Sequence, residues 1–232
     1  MRLTFEDARV ALYDDVYDPE TYEAIWHYLR RENYQDVGAG EWKRAWRLND
    51  GAPLRSRTFL LSERPYASPM DFVLRALLEA ARAHPHVVGQ EGEVWDEIGM
   101  QVFLYRRGTR ISWHQDTRYG GGQVAGSAAL YLHPEWRATW GGELLVPEMA
   151  DEDAPADDAK SGLIDGRDDG PLMKHARGLY VAPKPNRLVL ISAKVPHCTA
   201  RIDPDAGDHV RCSVSAFFGR RGLFTDVAKR LG

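Results

Sequence analysis

Three features that define large classes of protein are scarce or absent in this chain. It has few cysteines, no long apolar run and no excess of positive charge. It has only two cysteines, Cys198 and Cys212, and the pattern indicates small core residues with no disulfide framework. The first residues lack the apolar run of a secretory signal, and no stretch reaches the length of a membrane span. A net charge of −4 argues against general nucleic-acid binding. These absences predict a cytoplasmic protein without nucleic-acid or membrane partners.

What is present indicates one globular domain. The 232 residues are 44% hydrophobic, which is ordinary for a chain with one packed core. We expect a single domain over 1–232. It divides into an N-terminal helical support and substrate-mouth region (1–98), a catalytic β core (99–220), and a mobile acidic insertion or lid within that core (147–178).

His114 and Asp116 are candidate metal ligands. Two residues apart on a strand, their side chains project to the same face, and His197 from a distant strand would complete a site of two histidines and one carboxylate. Such a triad leaves coordination positions open on Fe(II), although the same ligands also accept zinc or manganese. The bare pattern H-x-D is weak, because eight histidines and 34 acidic residues make a chance match ordinary, with a solvated surface pair as the alternative.

The surroundings of these residues strengthen the metal hypothesis. Apolar and β-branched residues predict strands separated by turns that contain glycine or proline. The predicted strands are Met100–Tyr105, a strand ending at Asp116, Ser127–Leu132, a glycine-kinked strand Trp140–Val146, Arg187–Ser192 and His209–Phe218. Together they predict a mainly β chain.

From Gly99 to Arg220 the chain resembles the Fe(II)/2-oxoglutarate-dependent dioxygenases, and among them the prolyl 4-hydroxylase-like group. Five signals occur in the same order: Y-x2-G-x5-H-x-D from Tyr105, Y-L-x3-W-x4-G-G-x-L from Tyr131, P-x2-[NR]-R-L-V from Pro183, then P-H and R-x-S. The resemblance implies a double-stranded β-helix, a jelly-roll or cupin-like core with N-terminal helices packed on its major sheet.

The resemblance also implies roles for residues. His114, Asp116 and His197 would bind Fe(II), and Arg211 would pair with the distal carboxylate of 2-oxoglutarate, assisted by Ser213 and Tyr131. Arginine suits that role, because its planar fork holds a carboxylate bidentately and keeps its charge. Tyr105 would line the same pocket, although a strand tyrosine is equally well explained as a core residue with a satisfied hydroxyl.

The implied activity is hydroxylation of an unactivated C–H bond, with decarboxylation of 2-oxoglutarate to succinate. Fe(II), 2-oxoglutarate and dioxygen would take part, and stimulation by ascorbate is compatible with the resemblance. The carboxylate of Asp116 favours hydroxylation, because related halogenases carry a small residue there. Desaturation and ring formation start from the same chemistry and stay open.

A second ligand pattern competes with H-x-D. His133-Pro134-Glu135 reads H-x-E, which also serves in facial triads. Pro134 removes a backbone donor, and the tripeptide lies between two predicted strands, so it is typical of a turn. We therefore favour His114 and Asp116.

The N-terminal region predicts two amphipathic helices. One begins at Asp18-Pro19 and carries the apolar stripe Tyr22, Ile25, Trp26 and Leu29; the other begins at Ser68-Pro69, carries Phe72, Val73, Ala76, Leu77 and Ala80, and ends near His84-Pro85. Between them, Trp46 and Arg47 belong to a segment rich in Trp and Arg. That segment would either border the substrate mouth or form a solvated hairpin.

Substrate choice depends on residues whose roles are less constrained. Arg118, Arg47 and Arg110 are candidates for meeting a substrate carboxylate, and for Arg118 an ordinary surface position is an equal alternative. The acidic, glycine-rich segment 147–178 lacks apolar periodicity and predicts a lid or flap; the calcium-loop pattern is absent from it.

Three functions remain open at this level. The first is hydroxylation of a small molecule, such as an amino acid or a natural-product intermediate; the second is hydroxylation of a prolyl or other residue in a protein or peptide. The third is a cupin-like module that binds a metal or ligand without oxidising anything, because fold does not settle function. Arg211 and Ser213 discriminate, since a simple metal-binding cupin has no need of them. The sequence predicts no oligomeric state.

Overall fold

Two antiparallel sheets form the core, and the chain passes back and forth between them. A computed structural model of the chain describes residues 1–37, 50–119, 122–148, 172 and 177–224. Its strands are β1 (Arg2–Glu6), β2 (Val10–Asp14), β3 (Gln35–Asp36), β4 (Leu54–Arg55), β5 (Phe59–Leu60), β6 (Glu97–Tyr105), β7 (Ile111–His114), β8 (Arg118–Tyr119), β9 (Gly122–Tyr131), β10 (Leu144–Pro147), β11 (Gly178–Val181), β12 (Leu188–Ser192), β13 (His197–Thr199) and β14 (Arg211–Gly219). The helices are α1 (Pro19–Leu29), α2 (Met70–Ala83) and α3 (Pro85–Val88).

The strand order is that of a double-stranded β-helix. The major sheet runs β1-β2-β12-β9-β14-β6-β4-β3, with β5 also paired to β6 and β8 to β9, and the minor sheet runs β11-β10-β13-β7. Along the chain the path crosses from β6 in the major sheet to β7 in the minor sheet and returns to β9. It then forms the minor-sheet hairpin β10–β11, returns to β12, crosses once more to β13 and ends in the major sheet at β14. The fold is therefore mainly β, a jelly-roll, as the sequence predicted.

The strands of the major sheet present one face to the helices and the other to the inside of the barrel. On β14, Val214 and Ala216 pack in the cluster that contains α1 and α2, whereas Arg211, Ser213 and Ser215 line an interior cavity. On β9, Leu130 faces the helices in the same way. Fully burying one aliphatic side chain of this kind contributes about 1.5–3 kcal/mol, so this alternation fixes which residues reach the cavity.

The two predicted helices are present with the expected ends. Asp18 caps α1 by accepting a hydrogen bond from the backbone N–H of Thr21, and Pro19 occupies its first turn. α2 ends at Ala83, next to His84-Pro85. The inclusion of Phe72 in its apolar stripe was wrong: that side chain is 46% exposed, while Leu74 is fully buried.

Two parts of the architecture differ from expectation. β1 and β2 were not predicted, and they extend the major sheet by pairing β2 with β12. The glycine-kinked strand is shorter than predicted, because residues Ala138–Trp140 form a 3₁₀ turn and the strand begins only at Leu144. Gly141 and Gly142 have φ of 70° and 75°, which is incompatible with an extended strand.

None of the helices in the described ranges is both long and apolar enough to cross a membrane.

Candidate active site

The two histidines of the predicted triad lie side by side in the minor sheet. His114 is the last residue of β7 and His197 the first of β13, and the two are direct partners in the antiparallel register. Their ring centroids are 4.3 Å apart, and both residues are buried. A strand pairing between residues 83 positions apart in sequence therefore brings the two imidazoles together.

Asp116 completes the group from just beyond the strand. The sequence prediction placed His114 and Asp116 on one strand, but β7 ends at His114 and Asp116 lies in the following loop. Its Oδ1 is 3.5 Å from Nε2 of His114, and its Oδ2 is 3.3 Å from Nε2 of His197. One ligand atom from each of the three residues lies within 4.8 Å of the others, so a single metal ion can contact all three.

Backbone carbonyls orient both imidazoles. Nδ1 of His114 lies 2.8 Å from the carbonyl oxygen of Ser112, and Nδ1 of His197 lies 2.9 Å from that of Val195. With Nδ1 donating its proton to a carbonyl, the lone pair of a neutral imidazole is on Nε2, the atom that faces Asp116. Both rings thus present a ligand atom to the centre of the group.

The charge states favour a cation at this position. Burial, together with the neighbouring His197, lowers the pKa of His114 to about 4. Burial opposes ionisation of Asp116, but the charge and hydrogen bond of His197 more than offset it and hold the pKa of Asp116 below its ordinary value. Asp116 in turn outweighs burial at His197 and raises the pKa of that imidazole. The cation that binds there competes with a proton at His197.

Arg211 lies on the opposite wall of the same cavity, at the start of β14. Arg211 is 3% exposed, and its Cζ lies 4.8 Å from the ring centroid of Tyr105 and 4.8 Å from that of Tyr131. Its Nη1 donates to Oγ of Ser213 at 3.3 Å. All four residues line the cavity that also contains His114, Asp116 and His197. Tyr105 both lines the cavity and packs in a buried cluster with Phe103 and Trp140, so it combines the two roles considered from the sequence.

Two buried polar atoms test whether a carboxylate co-substrate fits here. Among the described residues, Nε of Arg211 and the hydroxyl of Tyr131 are buried without a hydrogen-bond partner. Leaving such atoms unpaired costs about 1–3 kcal/mol each, so a ligand that supplies acceptors is favoured. A dicarboxylate such as 2-oxoglutarate meets this requirement, and the imidazole and carboxylate donor set of the triad suits Fe(II).

Three further polar residues of the cavity were missed from the sequence: Ser127 on β9, Thr199 on β13 and Ser215 on β14. Ser127 lies beside Asp116, where its hydroxyl favours the ionised carboxylate, and Ser215 lies beside the hydroxyl of Tyr105. Strand alternation could have found them, because Ser127 is four residues from Tyr131, Thr199 two from His197, and Ser215 two from Ser213.

His133 and Glu135 of the competing H-x-E pattern do not belong to a convergent group of three ligand residues in the described part of the chain. His133 is fully buried, with Nε2 2.7 Å from the carbonyl oxygen of Pro183 and Nδ1 3.2 Å from that of Cys212. Glu135 faces solvent near His209 instead. Both imidazole nitrogens of His133 are thus engaged by backbone carbonyls.

The substrate candidates are only partly described. Nε of Arg110 donates to Oδ1 of Asp50 at 2.7 Å, and the carboxylate of Asp50 is fully buried. The positive charge of Arg110 is therefore already paired with a carboxylate of the protein. Arg118 lies in β8, and its side chain is outside the described part, as are Trp46 and Arg47. Most of the predicted insertion 147–178 also lies outside it; Pro147 ends β10 and Gly178 begins β11.

Comparison with known protein families gives one match. The family model described as the 2OG-Fe(II) oxygenase superfamily matches residues 100–219, just over half of the chain. The matched region runs from β6 to β14 and contains every cavity residue named above. No curated protein matches the sequence of this chain.

Solved structures share the fold at low sequence identity. A prolyl 4-hydroxylase from Pseudomonas putida is 18% identical with a TM-score of 0.62, over 91% of this chain and 92% of that one. A prolyl hydroxylase from Trichoplax adhaerens, in complex with a hypoxia-inducible-factor peptide, is 12% identical with a TM-score of 0.60, over 97% and 87%. HygX from Streptomyces hygroscopicus, with nickel and 2-oxoglutarate bound, is 14% identical with a TM-score of 0.54, over 92% and 83%.

Proposed function

Because the chain belongs to the 2OG-Fe(II) oxygenase superfamily, we propose that it hydroxylates an unactivated C–H bond of a small molecule while 2-oxoglutarate is decarboxylated to succinate. One observation carries this proposal. A single cavity has the triad His114, Asp116 and His197 on its minor-sheet side and Arg211 on its major-sheet wall. We call Arg211 the clamp residue, because it would hold the co-substrate carboxylate.

The triad residues would hold the metal. Bound Fe(II), together with 2-oxoglutarate and dioxygen, supplies the oxidising power for attack on a C–H bond. Asp116 contributes the negative charge of the site, and the two Nε2 atoms contribute neutral donors whose direction is set by the backbone. Three protein ligands leave the remaining coordination positions for the co-substrates.

Arg211 would anchor the distal carboxylate of 2-oxoglutarate. Its guanidinium is held between two tyrosine rings, and its Nε and the hydroxyl of Tyr131 both have capacity to donate to that carboxylate. A hydrogen bond to a charged group contributes about 1.5–3 kcal/mol, more than a neutral one. Ser213, already in contact with Arg211, adds a further hydroxyl on the same face of β14.

Apolar side chains complete the cavity and would exclude bulk water. Ile111, Leu144, Ile191 and Phe217 line it alongside the polar residues. An environment with little water strengthens the electrostatic contacts of Arg211 and protects a reactive centre from side reactions.

The substrate class is the finer part of the proposal. Among structures with this fold, HygX has been solved with hygromycin B bound, which is a precedent for a small-molecule ligand. The second candidate is hydroxylation of a prolyl residue in a peptide, and the likeness to the Pseudomonas putida and Trichoplax adhaerens prolyl hydroxylases favours it. We keep Arg118 as a candidate for meeting a substrate carboxylate, because it follows Asp116 by two residues.

Mass spectrometry of succinate and of the hydroxylated product distinguishes the two candidates. The protein is supplied with Fe(II), ascorbate and 2-oxoglutarate, then with a panel of amino acids and natural-product intermediates or with proline-containing peptides. We expect a small molecule to raise succinate formation above the substrate-free rate and to gain one oxygen atom. Oxygen incorporation into peptides alone would replace the first candidate by the second. Asp116→Ala serves as the inactive control.

A further inference from the structure

A second convergent group of ligand atoms lies outside the cavity. Within the described ranges, two sets of three His, Cys, Asp or Glu residues place their ligand atoms within 4.8 Å of one another: the triad, and Glu6, His84 and His86. We propose that this second group is a binding site for a divalent transition-metal ion of the Zn²⁺ type. We call it the Glu6 site.

The distances suit tetrahedral coordination. Oε1 of Glu6 is 3.0 Å from Nδ1 of His84 and 3.2 Å from Nε2 of His86. Metal–ligand bonds of about 2.0–2.1 Å at tetrahedral angles separate the ligand atoms by roughly 3.3 Å. Two of the three separations are thus within a few tenths of an ångström of those required, and small side-chain rotations suffice to admit the ion.

The orientation of His84 adds an independent observation. His84 is 4% exposed, and its Nε2 lies 2.5 Å from the hydroxyl of the buried Tyr13. For coordination through Nδ1, Nε2–H of His84 donates to the phenol oxygen of Tyr13, which leaves the imidazole lone pair on Nδ1, 3.0 Å from Oε1 of Glu6. Metal-binding histidines are commonly fixed in this way by a hydrogen bond at the second nitrogen, so Tyr13 would orient His84 for coordination through Nδ1.

The surroundings favour a cation and leave it accessible. The side chains of Glu6 and His86 are 40% and 44% exposed, which leaves room for water as a fourth ligand. His84 is the C-cap of α2, and the carbonyl end of a helix carries partial negative charge. Glu79 lies close enough that, with burial and Glu6, it raises the pKa of Tyr13.

The ion would join two elements that are otherwise weakly connected. Glu6 is on β1, an edge strand exposed at all five positions and paired only with β2, while His84 and His86 lie at the junction of α2 and α3. A metal bridge would therefore fasten the edge of the major sheet to the helices packed on it. This inference does not depend on the proposed oxidation chemistry.

Zinc stoichiometry tests the Glu6 site directly. Tag-free protein with His114→Ala and His197→Ala, which removes two of the triad ligands, is dialysed against Zn²⁺ and analysed for bound metal. We expect one equivalent, and none after adding His86→Asn. His209→Asn is the matched control, because His209 is also an exposed histidine beside a glutamate, Glu135 at 3.4 Å, but it belongs to no such group of three among the residues that the structure describes.

Thermal unfolding supplies a second readout on the same proteins. At Zn²⁺ concentrations about a hundredfold above its Kd, binding to the folded state should raise Tm by ~5–10 °C in the His114→Ala/His197→Ala protein. The rise should disappear with His86→Asn and persist with His209→Asn. Absence of bound zinc in the parent variant, or one equivalent retained after His86→Asn, would overturn the proposal. In the wild-type protein, His86→Asn should lower the total from two equivalents to one.

Discussion

At the scale of single residues, the ligand-binding side chains of the cavity are held in place by their neighbours. The rings of Tyr105 and Tyr131, each with its centroid 4.8 Å from Cζ of Arg211, limit the positions open to the guanidinium. Backbone carbonyls do the same for the two imidazoles. Preorganisation of this kind lowers the entropy that ligand binding would otherwise cost.

Replacing Arg211 by lysine tests the carboxylate clamp. Lysine keeps the positive charge but loses the planar fork and the stacking on two rings, so we expect the Kd for 2-oxoglutarate to rise about 10- to 100-fold. Calorimetric titration of the anaerobic Fe(II) protein measures this. Arg220→Lys, an exposed arginine just after β14, should leave the Kd unchanged. Equal affinity for 2-oxoglutarate in Arg211→Lys and wild type would contradict the assignment of Arg211 as the residue that holds the carboxylate bidentately.

Ser127 is predicted to position Asp116. Its hydroxyl lies beside that carboxylate and favours the ionised form, and loss of such an outer partner typically lowers metal affinity 10- to 100-fold. We expect Ser127→Ala to weaken Fe(II) binding by about that factor, as measured by anaerobic titration. The control is Ser215→Ala, which lines the same cavity but lies beside Tyr105. Unchanged affinity in Ser127→Ala would show that Asp116 is held without it.

At the scale of elements, strand alternation explains most of what could be predicted. The period-two pattern on β14 is strong because one face meets the helices and the other the cavity, and the R-x-S spacing follows this geometry. The H-x-D spacing does not, because β7 ends at His114 and Asp116 lies in the loop that follows. β1 and β2 escaped prediction because their place in the sheet depends on pairing of β2 with β12, about 180 positions further along the chain. The Glu6 site escaped for the same reason, since its ligands come from separate elements.

Gly142, just before β10, has a structural role that can be compared with that of Gly108, a second glycine at positive φ. Gly142 has φ of 75°, and a Cβ at that position would lie 2.9 Å from Cδ of Arg211. Gly108 has φ of 81°, but a Cβ there would meet nothing within 4 Å. Gly142 and Gly108 thus share the backbone requirement, but a Cβ would press on Arg211 only at Gly142.

Alanine at each glycine separates these effects. Both substitutions place an L side chain at positive φ and should lower the free energy of unfolding by about 1–2 kcal/mol, measured by urea titration. Only Gly142→Ala should also displace Arg211 and weaken 2-oxoglutarate binding severalfold. If Gly108→Ala weakened it equally, contact with Arg211 would not be the cause.

At the scale of the whole molecule, ionic contacts connect the N-terminal strands to the barrel. Asp14 at the end of β2 accepts hydrogen bonds from Nε of Arg187 at 2.7 Å and from Nζ of Lys184 at 2.9 Å, in the turn between β11 and β12. These contacts, led by the one with Arg187, outweigh burial and lower the pKa of Asp14 to about 2. They tie together segments distant in sequence.

Acid should weaken the fold through Asp14. The folded-state pKa is depressed, so the carboxylate stabilises the fold above its unfolded pKa near 4, and that stabilisation is lost as pH falls from about 4 to about 2. We expect Asp14→Asn to lower the free energy of unfolding by about 2 kcal/mol at pH 7, and the gap to wild type to narrow across that window. Urea titrations at pH 7, 4 and 3 measure it, with Asp96→Asn as an exposed control. A gap independent of pH would contradict the assignment.

The most direct test of the central claim is the visible charge-transfer absorption that Fe(II) gives with 2-oxoglutarate. Both are added anaerobically to the apo-protein, to His114→Ala and to Arg211→Met. The account predicts a band in the wild type that is absent in His114→Ala and is lost or needs much more 2-oxoglutarate in Arg211→Met. A folded wild-type protein without the band, or a band unaffected by both substitutions, would contradict the assignment of this cavity as the iron and 2-oxoglutarate site.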